Sequence, residues 1–470
     1  MSQAKNLWYF CQWGVYGRNY QVSDIPDHIT DIVYAFWDIE SNGRVLTKDT
    51  WADFERPVFE NGPIGNFKAF QELKKKRPIN LSLSVGGWTY SKYVSPAISS
   101  EENRKRTIDS LKEIENQFPG LFDGWNLDFE YISNDNVNYG NTGNIVSPQD
   151  SDNFILLLEL LRKEFPNKKI STCITADPKK AKFDVLKVSD LVDEIHCMTY
   201  DFHSSSWGDT ITSYHTNPRK GPHSELSVEE SAKYFINLGV QSHKLLIGGA
   251  SYSRGFNNAT KLGDSCSGMV SDKTWEDGIV DYKFLPLPGA IEYFDPVTKS
   301  SYSVDPIKKI VNTYDTPESI IEKCKIIKEL KLGGIIFWEL SGDSKKPERS
   351  LSLAAHQNLK DTSVPSVPSV PVAPPVPSVP VSQNKVIYNG SVLFNNQKVD
   401  ITLYETNNLE KILLMVPKPE TNPEWKENQN YRLGDIVSYN GINYVNIIGH
   451  VSYTSSWNPK DAPSLWKKIE

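Results

Sequence analysis

The chain has little cysteine: Cys11, Cys173, Cys197, Cys266 and Cys324 are scattered over 470 residues without a CxxC pair or any metal-ligand spacing. That argues against a metal cluster and leaves the thiols as small buried hydrophobes, their odd count leaving at least one without an intramolecular partner. No apolar run reaches the roughly 18 residues that span a membrane, and the opening MSQAKNLWYFCQW lacks the apolar stretch of an export signal. Basic excess is absent too. With 51 Lys+Arg against 58 Asp+Glu, a net charge of -7 excludes an electrostatic footprint for nucleic acid or an anionic membrane. No glycine-rich phosphate turn follows the first apolar run, so neither a nucleotide nor any other cofactor is expected. What the chain has is rings: 12 Trp and 22 Tyr, whose flat faces suit either a large core or the apolar faces of sugars.

Proline marks the clearest boundary. VPSVPSVPVAPPVPSVPVS, Val364 to Ser382, reads as an extended, semi-rigid polyproline spacer at roughly 3 Å per residue. The expected organisation is a catalytic region at 1–358, a linker at 359–384, a small β segment of unreadable role at 385–418 and a compact aromatic β module at 419–470. Before the linker, eight short β-prone runs begin at Asn6, Asp31, Asn80, Gly124, Lys169, Glu194, Lys244 and Gly333. Between them lie helical patterns such as EENRKRTIDSLKEIENQF and SDNFILLLELLRKEF. Eight alternating units predict an α/β fold, a (β/α)8 barrel. The long interval before the eighth run contains the alternating AIEYFDPVTKSSYSV, which predicts a small α+β insertion at about 255–316.

Polar residues crowd at the ends of these runs, where barrel active sites lie: Ser84, Asp128 and Glu130, Tyr200 and Asp201, Tyr252 and Arg254, Trp338 and Glu339. The segment FDGWNLDFEY is the most informative. Residues at i, i+2 and i+4 of a strand share a face, so Asn126, Asp128 and Glu130 are expected to point into the barrel while Trp125, Leu127 and Phe129 face the helices. Two acids and an amide buried together are costly. Glu130, its proton held by burial and by Asp128, fits a general acid.

DGWNLDFE resembles the DxxDxDxE motif of family 18 glycoside hydrolases, the chitinases, with Asn126 standing where the family has Asp. LSLSVGGW resembles SxGG on the third strand, MTYD the sixth-strand motif and SYSRGF the YxR segment; Trp338 matches the eighth-strand tryptophan. The resemblance implies hydrolysis of β-1,4-linked N-acetylglucosamine polymers with retention, through an oxazolinium formed by the substrate's own acetamido group. By the same resemblance Glu130 protonates the leaving oxygen, Asp128 and Tyr200 hold the acetamido group, and Trp338 floors the −1 sugar. Tyr9, Phe36, Met198, Asp201 and Arg254 surround it, and Trp88 lies towards the leaving sugars. Trp207, Tyr252 and Ser84 complete the expected substrate contacts, and Asn126 the catalytic set. The ending YRLGDIVSYNGINYVNIIGHVSYTSSWNPKDAPSLW is similar to the chitin-binding modules of bacterial-type chitinases, with Trp457 expected to stack on the polymer. Chitin and chitooligosaccharides are thus the expected partners, of a monomer acting outside the cell. The rivals are a chitinase-like lectin and an endo-β-N-acetylglucosaminidase acting on N-glycans.

Overall fold

The computed structural model describes residues 4–57, 62, 64–360, 386–394, 397–404, 424–427, 429–431, 435–446, 450–451, 458–462 and 465–468. The proline-rich spacer and Trp457 lie outside the described residues. The chain divides into two compact units, Met1–Ser366 and Val367–Glu470.

The eight β-prone runs of the first unit form eight strands: β1 (Lys5–Cys11), β2 (Asp31–Ile39), β3 (Asn80–Gly86), β4 (Gly124–Asp128), β5 (Lys169–Thr175), β6 (Glu194–Met198), β7 (Leu245–Ala250) and β8 (Gly334–Trp338). Each pairs in parallel with the next, and β1 pairs with both β2 and β8, so the sheet closes into the expected (β/α)8 barrel. Alternation along the strands sorts the side chains. Leu7, Tyr9, Val33, Ala35, Cys173, Leu246 and Ile336 share the barrel's interior cluster, whereas Trp8, Phe10, Ile32, Tyr34, Ile335 and Phe337 join the larger core beneath the helices. That core is closed by helices such as Glu101–Gln117, whose Thr107, Ile108, Leu111 and Ile114 recur at helical spacing and are buried, and whose N-terminus is capped by Ser100.

Between β7 and β8 the chain leaves the barrel. Arg254–Asn257, Ile291–Asp295, Ser300–Asp305 and Ile310–Tyr314 make a four-stranded antiparallel sheet around Phe256, Cys266, Val304 and Val311. It is tied to the barrel mouth by Arg18, whose Nη1 lies 3.0 Å from Asp281 and 3.2 Å from Glu339.

In the second unit, Val386–Phe394 pairs with Gln397–Tyr404. Ile436–Tyr439, Ile442–Asn446 and Trp466–Lys468 form a three-stranded antiparallel sheet. Its first hairpin turns at Asn440 and Gly441, both at positive φ, as an Asn-Gly hairpin requires. Tyr431, Val437, Tyr444, Ala462 and Trp466 fill its core, with Trp425 half-buried against them. Among the described residues, no helix is long and apolar enough to cross a membrane.

Candidate active site

β4 delivers the acids. Trp125 and Leu127 are fully buried on its outer face with Phe129 just beyond, while Asn126 and Asp128 occupy the inner one. Ladder pairing stops at Asp128, so Glu130 stands two residues past the strand rather than on it. It is held there by its backbone: its N–H donates to Ser91 Oγ at 2.9 Å and its carbonyl accepts from Asn144 Nδ2 at 2.9 Å. The turn at the end of β3 needs glycine. Gly87 sits at φ +79°, and a Cβ there would come within 2.6 Å of the Phe36 ring.

Both carboxyls are buried, and among the described residues no cation pairs with either. Burial pushes the Asp128 carboxyl up to about 7, partly offset by a hydrogen bond from Cys173. Glu130 lies well above the usual carboxylate range, first because of burial and then because of the charge on Asp128; a hydrogen bond from Tyr131 opposes both. Asp128 Oδ1 and the Tyr252 hydroxyl are buried with no hydrogen-bond partner in the protein. Such atoms are rare unless something else satisfies them.

Beneath Asp128, the Asn126 amide is fully used. Its Oδ1 accepts from Ser84 Oγ at 2.6 Å, and its Nδ2 donates to Ser171 Oγ at 2.8 Å. Tyr9 Oη reaches it at 3.5 Å but makes its shorter contacts with His196 Nδ1, at 2.8 Å, and Cys173 Sγ, at 3.0 Å. Tyr9 and Ser84 thus commit their hydroxyls within the barrel's interior, while the Tyr9 ring centre lies 5.8 Å from that of Trp338.

Rings line the mouth. Trp338 ends β8 and stacks on Phe36 at 5.4 Å and 17°, with Tyr9 at 5.8 Å and Trp13 at 6.2 Å from its centroid. Tyr200 lies against β7 where a Cβ on Gly248 would be 2.7 Å from its ring, so glycine makes room for it. Met198 is half-buried against the interior cluster. Asp201, at φ +59°, accepts from Arg254 Nε at 2.7 Å. Burial opposes its ionisation, yet the Arg254 guanidinium holds its carboxyl far below the usual range, with His215 alongside. The Arg254 guanidinium lies 4.5 Å from the centre of the Trp207 ring and 5.7 Å from that of Tyr252. Trp88, just past β3, and Trp207 are about half-exposed.

The structure adds residues that reading the sequence missed: Trp13, Ser91, Tyr131, Ser171, Cys173 and His196. The period of two along β5 and β6 places Ser171, Cys173, Glu194 and His196 on inward faces, a signal that was available. Ser91 and Tyr131 act from loops and carried none. Among the described residues, no group of three or more His, Cys, Asp and Glu could hold a metal ion.

Comparison with known proteins bears on this arrangement. The family model "Glycosyl hydrolases family 18" matches residues 5–343, and "Carbohydrate-binding module family 5/12" matches residues 424–467. Endochitinase 1 of Metarhizium robertsii is 32% identical over 75% of this chain and 84% of its own length; Chitinase 1 of Aphanocladium album is 31% identical over 76% and 86%. A solved chitinase of Bacillus thuringiensis superposes with a TM-score of 0.69 at 25% identity, covering 86% of this chain and 75% of that one. With the family model matching residues 5–343, from the first barrel strand past the eighth, this chain belongs to the glycosyl hydrolases of family 18.

Proposed function

We propose that this hydrolase is a chitinase that cleaves β-1,4 linkages between N-acetylglucosamine units with retention, the substrate's acetamido oxygen serving as nucleophile. The observation that carries the reading is the pair of buried acids without a cationic partner, one of which leaves an oxygen unsatisfied. Glu130, kept protonated by burial and by Asp128, gives its proton to the glycosidic oxygen as that bond breaks. Asp128 Oδ1 takes the acetamido N–H, which turns the carbonyl oxygen towards the anomeric carbon and stabilises the positive oxazolinium. Water then opens the ring, with Glu130 as base. Tyr200 holds the acetamido oxygen, and Trp338 floors the sugar. Asp201, Arg254, Tyr252, Met198, Phe36, Trp207 and Trp88 shape the binding cleft around it. The names of the relatives and the module at 424–467 support chitin as the polymer; the protein then acts where that polymer lies, outside the cell, with Trp457 as the module's stacking residue. The insertion sheet, Arg254 to Tyr314, serves as one wall of the cleft.

The test is incubation with chitin oligosaccharides and, separately, with an N-glycan, repeated with Glu130→Gln. Release of short N-acetylglucosamine oligomers that vanishes in the variant is expected. Tight binding without release would make the protein a lectin, and cleavage of the N-glycan alone would make it an endo-β-N-acetylglucosaminidase.

A further inference from the structure

The segment that carries Tyr200 and Asp201 lies beyond Met198, the last residue of β6. Among the described residues, the ladder pairs between β6 and β7 are Ile195 with Leu245 and His196 with Leu246. Above them side chains take over. Thr199 Oγ1 accepts from the Gly248 N–H at 2.6 Å and donates to the Gly248 carbonyl at 3.2 Å. The Thr199 carbonyl accepts from Thr216 Oγ1 at 2.9 Å, the Asp201 N–H donates to His215 Nδ1 at 3.4 Å, and the Phe202 N–H donates to the His215 carbonyl at 3.1 Å. The backbone is therefore held on both sides of Tyr200, while its ring rests against Gly248, where a Cβ would be 2.7 Å away.

Both supports converge on one ammonium. Lys323, on the helix Pro317–Leu330, donates from Nζ to Thr216 Oγ1 at 2.6 Å, to the Gly248 carbonyl at 2.9 Å and to Asp315 Oδ2 at 2.6 Å. Chemistry fixes the polarity. Thr216 has a single hydroxyl proton, already given to Thr199, so Lys323 must be the donor to it, and three acceptors use all three ammonium protons. Asp315 is anchored in turn: its Oδ2 also accepts from the Ala250 N–H at 3.0 Å, and its Oδ1 accepts from Ser319 Oγ at 2.6 Å. Thr199, Thr216, Asp315 and Lys323 are all buried, where an unmatched polar group is costly. Joining the helix to β7 needs the bond to Gly248 alone. The bond to Thr216 ties the same ammonium to the segment that bears Tyr200.

We propose that Lys323 is a positioning residue which, acting through Gly248 and Thr216, fixes where the Tyr200 hydroxyl stands over the substrate's acetamido group. This rests on the chitinase reading above, which gives Tyr200 the acetamido oxygen. Without the ammonium, the Gly248 carbonyl and Thr216 lose their shared anchor, and both the surface behind the Tyr200 ring and the backbone before it are free to shift. A small displacement of a group that aligns a nucleophile is enough to slow the chemistry.

The experiment is a double-mutant cycle. It measures kcat and KM on a chitin oligosaccharide for the wild-type chain, Tyr200→Phe, Thr216→Val, Thr216→Ser and Lys323→Met, and for Thr216→Val and Lys323→Met each combined with Tyr200→Phe, all well below their melting temperatures. Phe keeps the ring against Gly248 but not the hydroxyl, so a loss that came from general loosening would recur in that background. Thr216→Val and Lys323→Met are each expected to lower kcat/KM by about tenfold alone and by less than about twofold once Tyr200 is Phe. Thr216→Ser, which keeps the hydroxyl, is expected to stay within about threefold of the wild type. The same loss in both backgrounds, or wild-type kinetics in Thr216→Val or in Tyr200→Phe, would overturn the proposal. If Lys323→Met does not fold, the Thr216 variants decide the matter. A wild-type chain that releases nothing from the oligosaccharide sinks the chitinase reading instead, so the two failures are distinguishable.

Discussion

The mouth and the base of the barrel each bury carboxylates, and they treat them oppositely. At the base, burial works against ionisation of Glu194, but His196, Lys5 and Lys169 outweigh it and hold the carboxyl far below the usual range. At the mouth, Asp128 and Glu130 are buried to a similar degree with no cation beside them among the described residues; desolvation pushes both up, and the charge on Asp128 pushes Glu130 further. Burial alone therefore does not say what an acid is for. The partner does: a buried carboxylate beside cations is held ionised, and one without a cation keeps its proton.

The largest expected effect breaks the mouth. Glu130→Gln keeps size and hydrogen bonding but removes the transferable proton, so kcat on a chitin oligosaccharide is expected to fall by about 10²–10⁴-fold with binding retained. Steady-state rates alongside calorimetric titration of the oligosaccharide check both halves. Next comes a buried pair of the other kind. Lys323 Nζ lies 2.6 Å from Asp315, both fully buried, behind the backbone of β7. Lys323→Met strands that carboxylate and is expected to cost about 3–5 kcal/mol in urea unfolding.

A smaller effect distinguishes the two ends by pH. Asp128 ionises near 7 when folded, against about 4 in an unfolded chain. A group raised in this way costs nothing below the unfolded value, destabilises the fold increasingly as pH rises from about 4 to about 7, and costs a constant amount above that. Asp128→Asn is thus expected to equal the wild type in stability at pH 4 and to exceed it by about 1–2 kcal/mol at pH 8, read from urea midpoints. Glu194→Gln has the reverse sign: its carboxylate contributes stability above the unfolded value that is lost as pH falls. Removing it destabilises most at neutral pH. The smallest expected effect is at the amide. Asn126→Asp adds an ionisable group beside Asp128 and is expected to move the acidic limb of kcat upward while changing the peak rate by less than about tenfold. Superimposable pH profiles would show position 126 to be electrostatically silent.

Much of the barrel was legible because each strand is a short apolar run with a polar end, and because strand-helix alternation over eight units admits few folds. The acids were legible for a sharper reason: period-two alternation in FDGWNLDFEY cannot bury Trp125, Leu127 and Phe129 without turning Asn126 and Asp128 inwards. Glu130 was expected on the same strand and instead follows it, held by Ser91 and Asn144, which lie 39 and 14 residues away in sequence. Local periodicity has no access to such contacts. His196 and Cys173 had the inward period but no motif to draw attention to them, and what they touch depends on barrel closure bringing β1, β5 and β6 together around β4. Tyr9, which the family resemblance sets beside the −1 sugar, has further contacts that local reading did not reach: its hydroxyl meets His196 and Cys173, and its ring lies 5.8 Å from Trp338.

The most direct test of substrate-assisted chemistry at this mouth is the configuration of the first product. Proton NMR of a chitin oligosaccharide, followed from the earliest seconds of hydrolysis, resolves the anomers before they equilibrate. Two inversions at one anomeric carbon predict that the β anomer appears first; initial release of the α anomer would mean a single displacement by water and would contradict the account.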